Sequence, residues 1–155
     1  MLSTEIYEKL KNIKNFIGVY ACDEMPKFIQ VFPQCLVANT DNHNQIGSHW
    51  IAIFIDDKGG GEYFDSYGLP PMKHEFIQYL ENNTKTGFTY NKVSLQCFSC
   101  VTCGEYCCAY IIIRSAGYSH RDFLKLFNNN PNTNDYIIKS IFGALDSEGW
   151  NRILK

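Results

Sequence analysis

Ser48-His49-Trp50-Ile51-Ala52-Ile53-Phe54-Ile55-Asp56-Asp57-Lys58-Gly59-Gly60-Gly61-Glu62-Tyr63-Phe64-Asp65 reads as two strands and the turn between them. Ser48 to Ile55 is the clearest apolar strand of the chain. Asp56 to Gly61 has turn chemistry, and Glu62 to Asp65 brings the chain back. An antiparallel hairpin of this kind puts His49 near the start of one strand and Asp65 at the end of the next. Both then lie at one edge of the sheet, which is where an imidazole and a carboxylate must meet if one is to orient the other.

Upstream, Ile6, Leu10, Ile13 and Ile17 recur at helical spacing, so the pattern predicts an amphipathic helix over about Ser3 to Asn15. Ser3 or Thr4 is its expected cap, and Gly18 its end. Val19 to Asp23 reads as a short extended piece, Gln34 to Asn39 as a buried strand, and Thr40 to Gln45 as a polar loop. Downstream, Pro70-Pro71 opens a helix to about Asn82, with Phe76, Ile77 and Leu80 facing inward. Lys92 to Gln96 reads as a further strand. A strongly apolar helix starts at Cys103 or Gly104 and closes at Gly117. Ser119 and Asn134 are the expected caps of two last helices, about His120 to Asn128 and Asp135 to Leu145. The order is helix, strands, then helices, which is an α+β pattern with no repeat or linker.

The 155 residues suit a single domain, 1–155, and 45% hydrophobic content with 15% aromatics supports a packed core. A net charge of −2 without a basic run argues against a nucleic-acid partner. No apolar stretch approaches the roughly 20 residues that span a bilayer, and the first residues lack the layout of a signal peptide. The expectation is therefore a reducing compartment, where the seven cysteines are thiols.

One of those thiols has a special place. In Gln96-Cys97-Phe98-Ser99-Cys100-Val101-Thr102-Cys103-Gly104, Cys103 falls at the amino end of the predicted apolar helix. Unpaired N–H groups and the helix dipole there favour a thiolate. With His49 as base, Asp65 as its orienting carboxylate and the Gln96 amide as an oxyanion donor, the cast for thiol-based acyl transfer is complete. Each residue also has a plainer reading: Cys103 as one more buried thiol, His49 as a strand histidine, Asp65 as a turn cap, Gln96 as a polar strand end. Asp56 and Asp57 read as turn residues only, and His43, His74 and His120 as solvated. A rival for the cysteines is Cys97-x2-Cys100-x2-Cys103-x3-Cys107, the spacing of an iron–sulfur ligand run. The proline that should follow that run is Cys108 here, the fourth cysteine falls inside a helix, and His49, Asp65 and Gln96 would be left without a task. A structural zinc site lacks an evident second ligand pair. No cofactor and no metal ligand is assigned.

As spaced, Gly47-Ser48-His49-Trp50, Tyr63-Phe64-Asp65-Ser66-Tyr67-Gly68-Leu69-Pro70-Pro71, and Gln96 through Cys103-Gly104 with Cys107-Cys108 resemble the adenovirus-type maturation cysteine proteases. The resemblance extends to their relatives in virophages, large DNA viruses and Polinton transposons, and more distantly to SUMO-deconjugating proteases. Gly18 to Pro26 and Val37 to Asp41 look similar to the virophage and Polinton branch. The resemblance implies an adenain-like α+β fold, with a mixed or antiparallel central sheet flanked by helices and the nucleophile starting the central helix. It also implies a catalytic set of His49, Asp65, Cys103 and Gln96, with Asp65 where the adenovirus enzyme has Glu. Gly47, Trp50 and Gly104 become the substrate-contact candidates, Trp50 as a roof over a slot that only Gly passes and Gly104 as the residue that keeps the approach to Cys103 open. The implied activity is an endopeptidase that cuts viral capsid precursors at Gly-containing sites, as a monomer in the virion and host-cell interior. A peptide activator is a family possibility to which no residue here can be assigned. Three alternatives stand beside it: a deconjugase of a ubiquitin-like protein using the same triad, a metal- or iron–sulfur-binding module on Cys97, Cys100, Cys103 and Cys107, and a catalytically silent capsid-binding protein.

Overall fold

A computed structural model describes residues 1–145 of the chain. Five strands form one mixed sheet in sequence order: β1 (Phe16–Ala21), β2 (Gln34–Asn39), β3 (Trp50–Ile55), β4 (Gly61–Phe64) and β5 (Phe88–Tyr90). The two outer pairings, β1 with β2 and β4 with β5, are parallel, and the two inner ones are antiparallel. The helices are α1 (Ser3–Leu10), α2 (His74–Asn83), α3 (Cys103–Ser115), α4 (His120–Leu124) and α5 (Pro131–Ala144). This is the expected α+β architecture with a mixed central sheet.

Side chains on a strand alternate between faces, and both faces of this sheet are covered. From β2 and β3, Cys35, Val37, Ala52 and Phe54 join Ile6, Leu10, Tyr106, Ile111, Phe123 and Ile138 in one core under α1, α3 and α5. Leu36, Ala38, Ile51, Ile53 and Ile55 pack on the other side with Phe76, Tyr79 and Leu80 of α2. Burial on both faces explains why β2 and β3 read as unbroken apolar runs. α3 lies at the centre, with Cys107, Cys108, Ala109 and Tyr110 wholly buried.

The expected boundaries of β2 hold; the expected Asp56–Gly61 turn forms but ends a residue early, since Gly61 already belongs to β4, and Asp56 Oδ1 accepts the Lys58 and Gly60 N–H groups in that turn. Several expectations need correcting. α1 stops at Leu10, with Leu2 rather than Ser3 or Thr4 at the cap position; the Leu2 N–H donates to Glu5 Oε2 at 2.6 Å. Gly18 does not end that helix. It sits within β1 where the register shifts, and the chain turns earlier at Asn15, whose φ is +59°. Ile77 is only half-buried, and Tyr79 takes the inward place beside Phe76 and Leu80. Lys92 to Gln96 forms no strand, since the sheet pairing runs through Phe88–Tyr90 instead. Ser119 caps α4 as expected, accepting from the Asp122 N–H. α5 is capped by Asn130, because Pro131 can only begin a helix, and Asn134 is turned inward to bond the Leu95 and Asn128 carbonyls.

Candidate active site

The hairpin delivers its two groups to one edge. His49 directly precedes β3 and Asp65 directly follows β4, and His49 Nε2 lies 2.8 Å from Asp65 Oδ1. Cys103 is the imidazole's other partner, close enough to act on its charge. Cys103 is the first residue of α3 and is 9% exposed. Its neighbour Thr102 does not cap the helix with its hydroxyl, so the first-turn N–H groups stay available. The backbone at Trp50 and Gly104 lies beside the thiol and favours its charged form.

Burial alone would strip the proton from His49 and hold one on Cys103. Both tendencies are overcome. For His49, burial is the largest influence and lowers its pKa, but Asp65 and Cys103 together push it up to about 9. For Cys103, burial is again largest and raises the pKa. The hydrogen bond and charge of His49, with the Trp50 and Gly104 backbone, bring it below its ordinary value. Both shifts favour a thiolate–imidazolium pair, with a carboxylate behind it. Such an arrangement can attack a carbonyl carbon and then protonate a leaving nitrogen. The thiols buried in the core differ: burial drives Cys35 and Cys108 up to about 12 and raises Cys107 well above its ordinary value.

Asp65 does both things expected of it. Oδ1 accepts from His49 and also from the Tyr67 N–H at 2.8 Å, closing a turn that continues through Gly68 N–H to Asp65 O. Gln96 is 2% exposed; its Oε1 accepts from Ser66 Oγ and its Nε2 donates to the Cys100 carbonyl at 2.6 Å. That leaves the second N–H of the amide uncommitted among those bonds.

Two site residues, Asn91 and Tyr67, were given no role by the sequence. Asn91 is buried and clasps the Asp65 backbone, accepting its N–H at 2.9 Å and donating to its carbonyl. The Tyr67 ring stacks on His49 with centroids 4.7 Å apart, and Phe98 tilts against Tyr67. Tyr67 lay inside a quoted motif; Asn91 could not be found without its partner 26 residues away.

Among the substrate-contact candidates, Gly47 has φ +88° and lines a cavity of about 610 Å³ together with Trp50, Tyr20 and Met1. Trp50 is half-buried and donates its Nε1–H to the Met1 carbonyl at 3.1 Å. Gly104 faces Met1, whose Cβ and Sδ lie 2.9 Å from where a Cβ on Gly104 would stand, so Met1 fills the space that Gly104 was expected to keep open. On the other side of His49, an apolar cavity of about 670 Å³ is lined by Asp65, Tyr67, Leu69, Met72 and Phe98. The four-cysteine cluster does not form. Among the described residues, the group that brings metal-ligating atoms together is Cys97, Cys100 and Asp135, without Cys103 or Cys107.

No protein-family profile matches the chain. Individual proteins do. A protein of Acanthamoeba polyphaga mimivirus named as a thiol protease is 36% identical over 90 residues, 52% of this chain and 30% of its own length. The protease of frog adenovirus 1 is 30% identical over 111 residues, 62% of this chain and 53% of that protein. The chain is thus similar in sequence to viral thiol proteases, the adenovirus type among them. It spans about half or less of the length of these relatives. The crystal structure of the ASFV pS273R protease superposes with a TM-score of 0.63 at 19% identity, covering 88% of this chain and 65% of that one. At that identity the likeness is one of fold, and the fold is the adenain-like α+β one. No helix among the described residues is long and apolar enough to cross a membrane.

Proposed function

We propose that the chain is a cysteine endopeptidase with Cys103 as nucleophile, His49 as acid and base, Asp65 as the orienting carboxylate and Gln96 as an oxyanion donor. The observation that carries this is the series of carboxylate, imidazole and helix-terminal thiol, with Asp65 and His49 at 2.8 Å. The Cys103 thiolate attacks the scissile carbonyl carbon, and the carbonyl π electrons move onto oxygen. That oxyanion is met by the free Gln96 N–H and the Cys103 backbone N–H. Collapse of the intermediate breaks the C–N bond as His49 gives its proton to the leaving amine. Water, deprotonated by the now neutral His49, then releases the acyl group and restores the thiol pair.

The substrates we propose are capsid and other virion precursor proteins, cut beside glycine in the virion and the infected cell. The viral relatives support the substrate class. Trp50, whose backbone lies beside Cys103, lines one cavity with Gly47, which supports a narrow passage for backbone without a Cβ. The exposed apolar side chains of Leu69, Met72 and Phe98 beside His49 offer a seat for apolar substrate residues further from the cut.

The test is to incubate the enzyme with the structural proteins of its own virus and sequence the new termini. New amino termini preceded by Gly in the precursor, absent with Cys103→Ala, are the expected result. Processing that persists in Cys103→Ala would overturn the assignment. Cleavage confined to the tail of a ubiquitin-like protein would replace the substrate class while keeping the chemistry.

A further inference from the structure

The triad leaves Cys97-x2-Cys100 without a task, yet the fold builds something definite around it. Asp135, in the second turn of α5 and 6% exposed, accepts the Cys97 N–H on Oδ2 at 3.0 Å. Its other oxygen, Oδ1, accepts from Thr102 Oγ1 at 2.8 Å and from the Tyr106 hydroxyl at 3.2 Å. One carboxylate therefore ties both ends of the passage between Gln96 and Cys103. A turn closed by Cys100 N–H to Cys97 O, at 3.1 Å, brings the two cysteines together. Their sulfurs and a carboxylate oxygen of Asp135 all lie within 4.8 Å of one another.

We propose that Cys97, Cys100 and Asp135 bind a single Zn²⁺-class cation through two thiolates and one carboxylate oxygen, with water completing a tetrahedron. Ligand softness favours this class. Two thiolates suit zinc and exclude the hard, all-oxygen ions magnesium and calcium. Bond lengths of about 2.3 Å to sulfur and 2.0–2.2 Å to oxygen put the edges of such a tetrahedron at roughly 3.5–3.8 Å. The observed grouping needs only a contraction of about an ångström at most to reach that. An iron–sulfur cluster would need four thiolates, and only two are here. On binding, the two thiols release their protons to solvent and nothing is oxidised or reduced. Thr102 and Tyr106 act as outer partners that hold the carboxylate in place.

The ion would act on the neighbouring reaction site through the backbone. Gln96 Nε2 is held by the Cys100 carbonyl, so fixing Cys100 to α5 fixes the amide that precedes the nucleophile. The Asp135 oxygens already have protein partners, so loss of the ion should loosen this loop without unfolding the domain.

The experiment uses the full chain carrying Cys103→Ala, so that the reaction site cannot hold the ion. Zn²⁺ is titrated against a chelator of known affinity, and Co²⁺ is added separately to read thiolate coordination from its sulfur-to-metal charge-transfer band. Expected are about one retained Zn²⁺ and a Co²⁺ band of two-thiolate intensity. Both are lost in the Cys97→Ser/Cys100→Ser variant, and affinity falls roughly tenfold or more in Asp135→Asn. The proposal is overturned by no retained Zn²⁺, by undiminished binding in the double serine variant, or by unchanged affinity in a folded Asp135→Asn. Should Asp135→Asn fail to fold, the Co²⁺ spectrum decides, since three- or four-thiolate intensity excludes the Asp135 ligand.

Discussion

At half-buried His49 and buried Cys103, each group favours the charged form of the other. His49 is raised to about 9, against its burial, by Asp65 and Cys103. A raised imidazole contributes stability that is full below its ordinary 6.5 and is lost as pH rises through about 9. Turnover should fall over that same alkaline limb, because His49 then lacks the proton it must give the leaving amine. Replacing the thiol in Cys103→Ala removes one of the groups that raise His49, so its ring should titrate lower by NMR. An unchanged titration would break the coupling. Sub-stoichiometric iodoacetamide near pH 6 should label Cys103 first. Cys97, more accessible and itself shifted down by its bonds to Ser99, is the expected runner-up rather than buried Cys22 or Cys35. Asp65→Asn should cut kcat by a factor on the order of 10²–10⁴ with little change in KM, since the amide cannot hold the imidazolium. Asp56→Asn, in the hairpin turn, should leave the rate nearly unchanged. Similar losses at the two positions would contradict the roles assigned here.

The element that carries Asp65 into the site is the turn between β4 and α2. Gly68 there has φ +73°, and a Cβ would stand 2.7 Å from the Val93 carbonyl carbon. Two residues on, Leu95 and Gln96 donate their N–H groups to the Ser66 carbonyl. The turn and the Gln96 passage therefore move together. Gly68→Ala should destabilise the domain by about 1 kcal/mol or more, from left-handed backbone strain and overpacking. It should also lower kcat by displacing the Gln96 amide. A lower Tm with unchanged kcat would separate the turn from the oxyanion side. Asn91→Ala tests the same junction from below. It leaves the buried Asp65 N–H without a partner, at a cost of about 1–3 kcal/mol.

Across the whole molecule, Trp50 joins the sheet edge, the first residues of the chain and the core under α3. If it also narrows the substrate passage, Trp50→Ala should lower Tm and at the same time relax the preference for Gly over Ala before the cut. A fall in Tm by itself, with the Gly/Ala rate ratio intact, would make Trp50 purely structural; truncating a buried Trp costs about 3–5 kcal/mol, less where it is half-exposed. The domain-wide division between local and long-range causes is visible in particular residues. β2, the His49–Asp65 hairpin, α3 with Cys103 at its start, and the Ser119 cap were legible in the sequence. Each depends on a local signal: a run buried on both sheet faces, a Gly-rich turn, a helix end. The irregular course of Lys92 to Thr102, the inward turn of Asn134 and the clasp of Asn91 were not. These polar groups are buried only because partners 26 to 39 residues away satisfy them. The sequence alone thus determined which residues could form a thiolate, an imidazolium and a carboxylate, and roughly where the elements lie. Only the tertiary structure decided how they are charged and what holds them, because desolvation and hydrogen bonding depend on neighbours that the chain order does not specify.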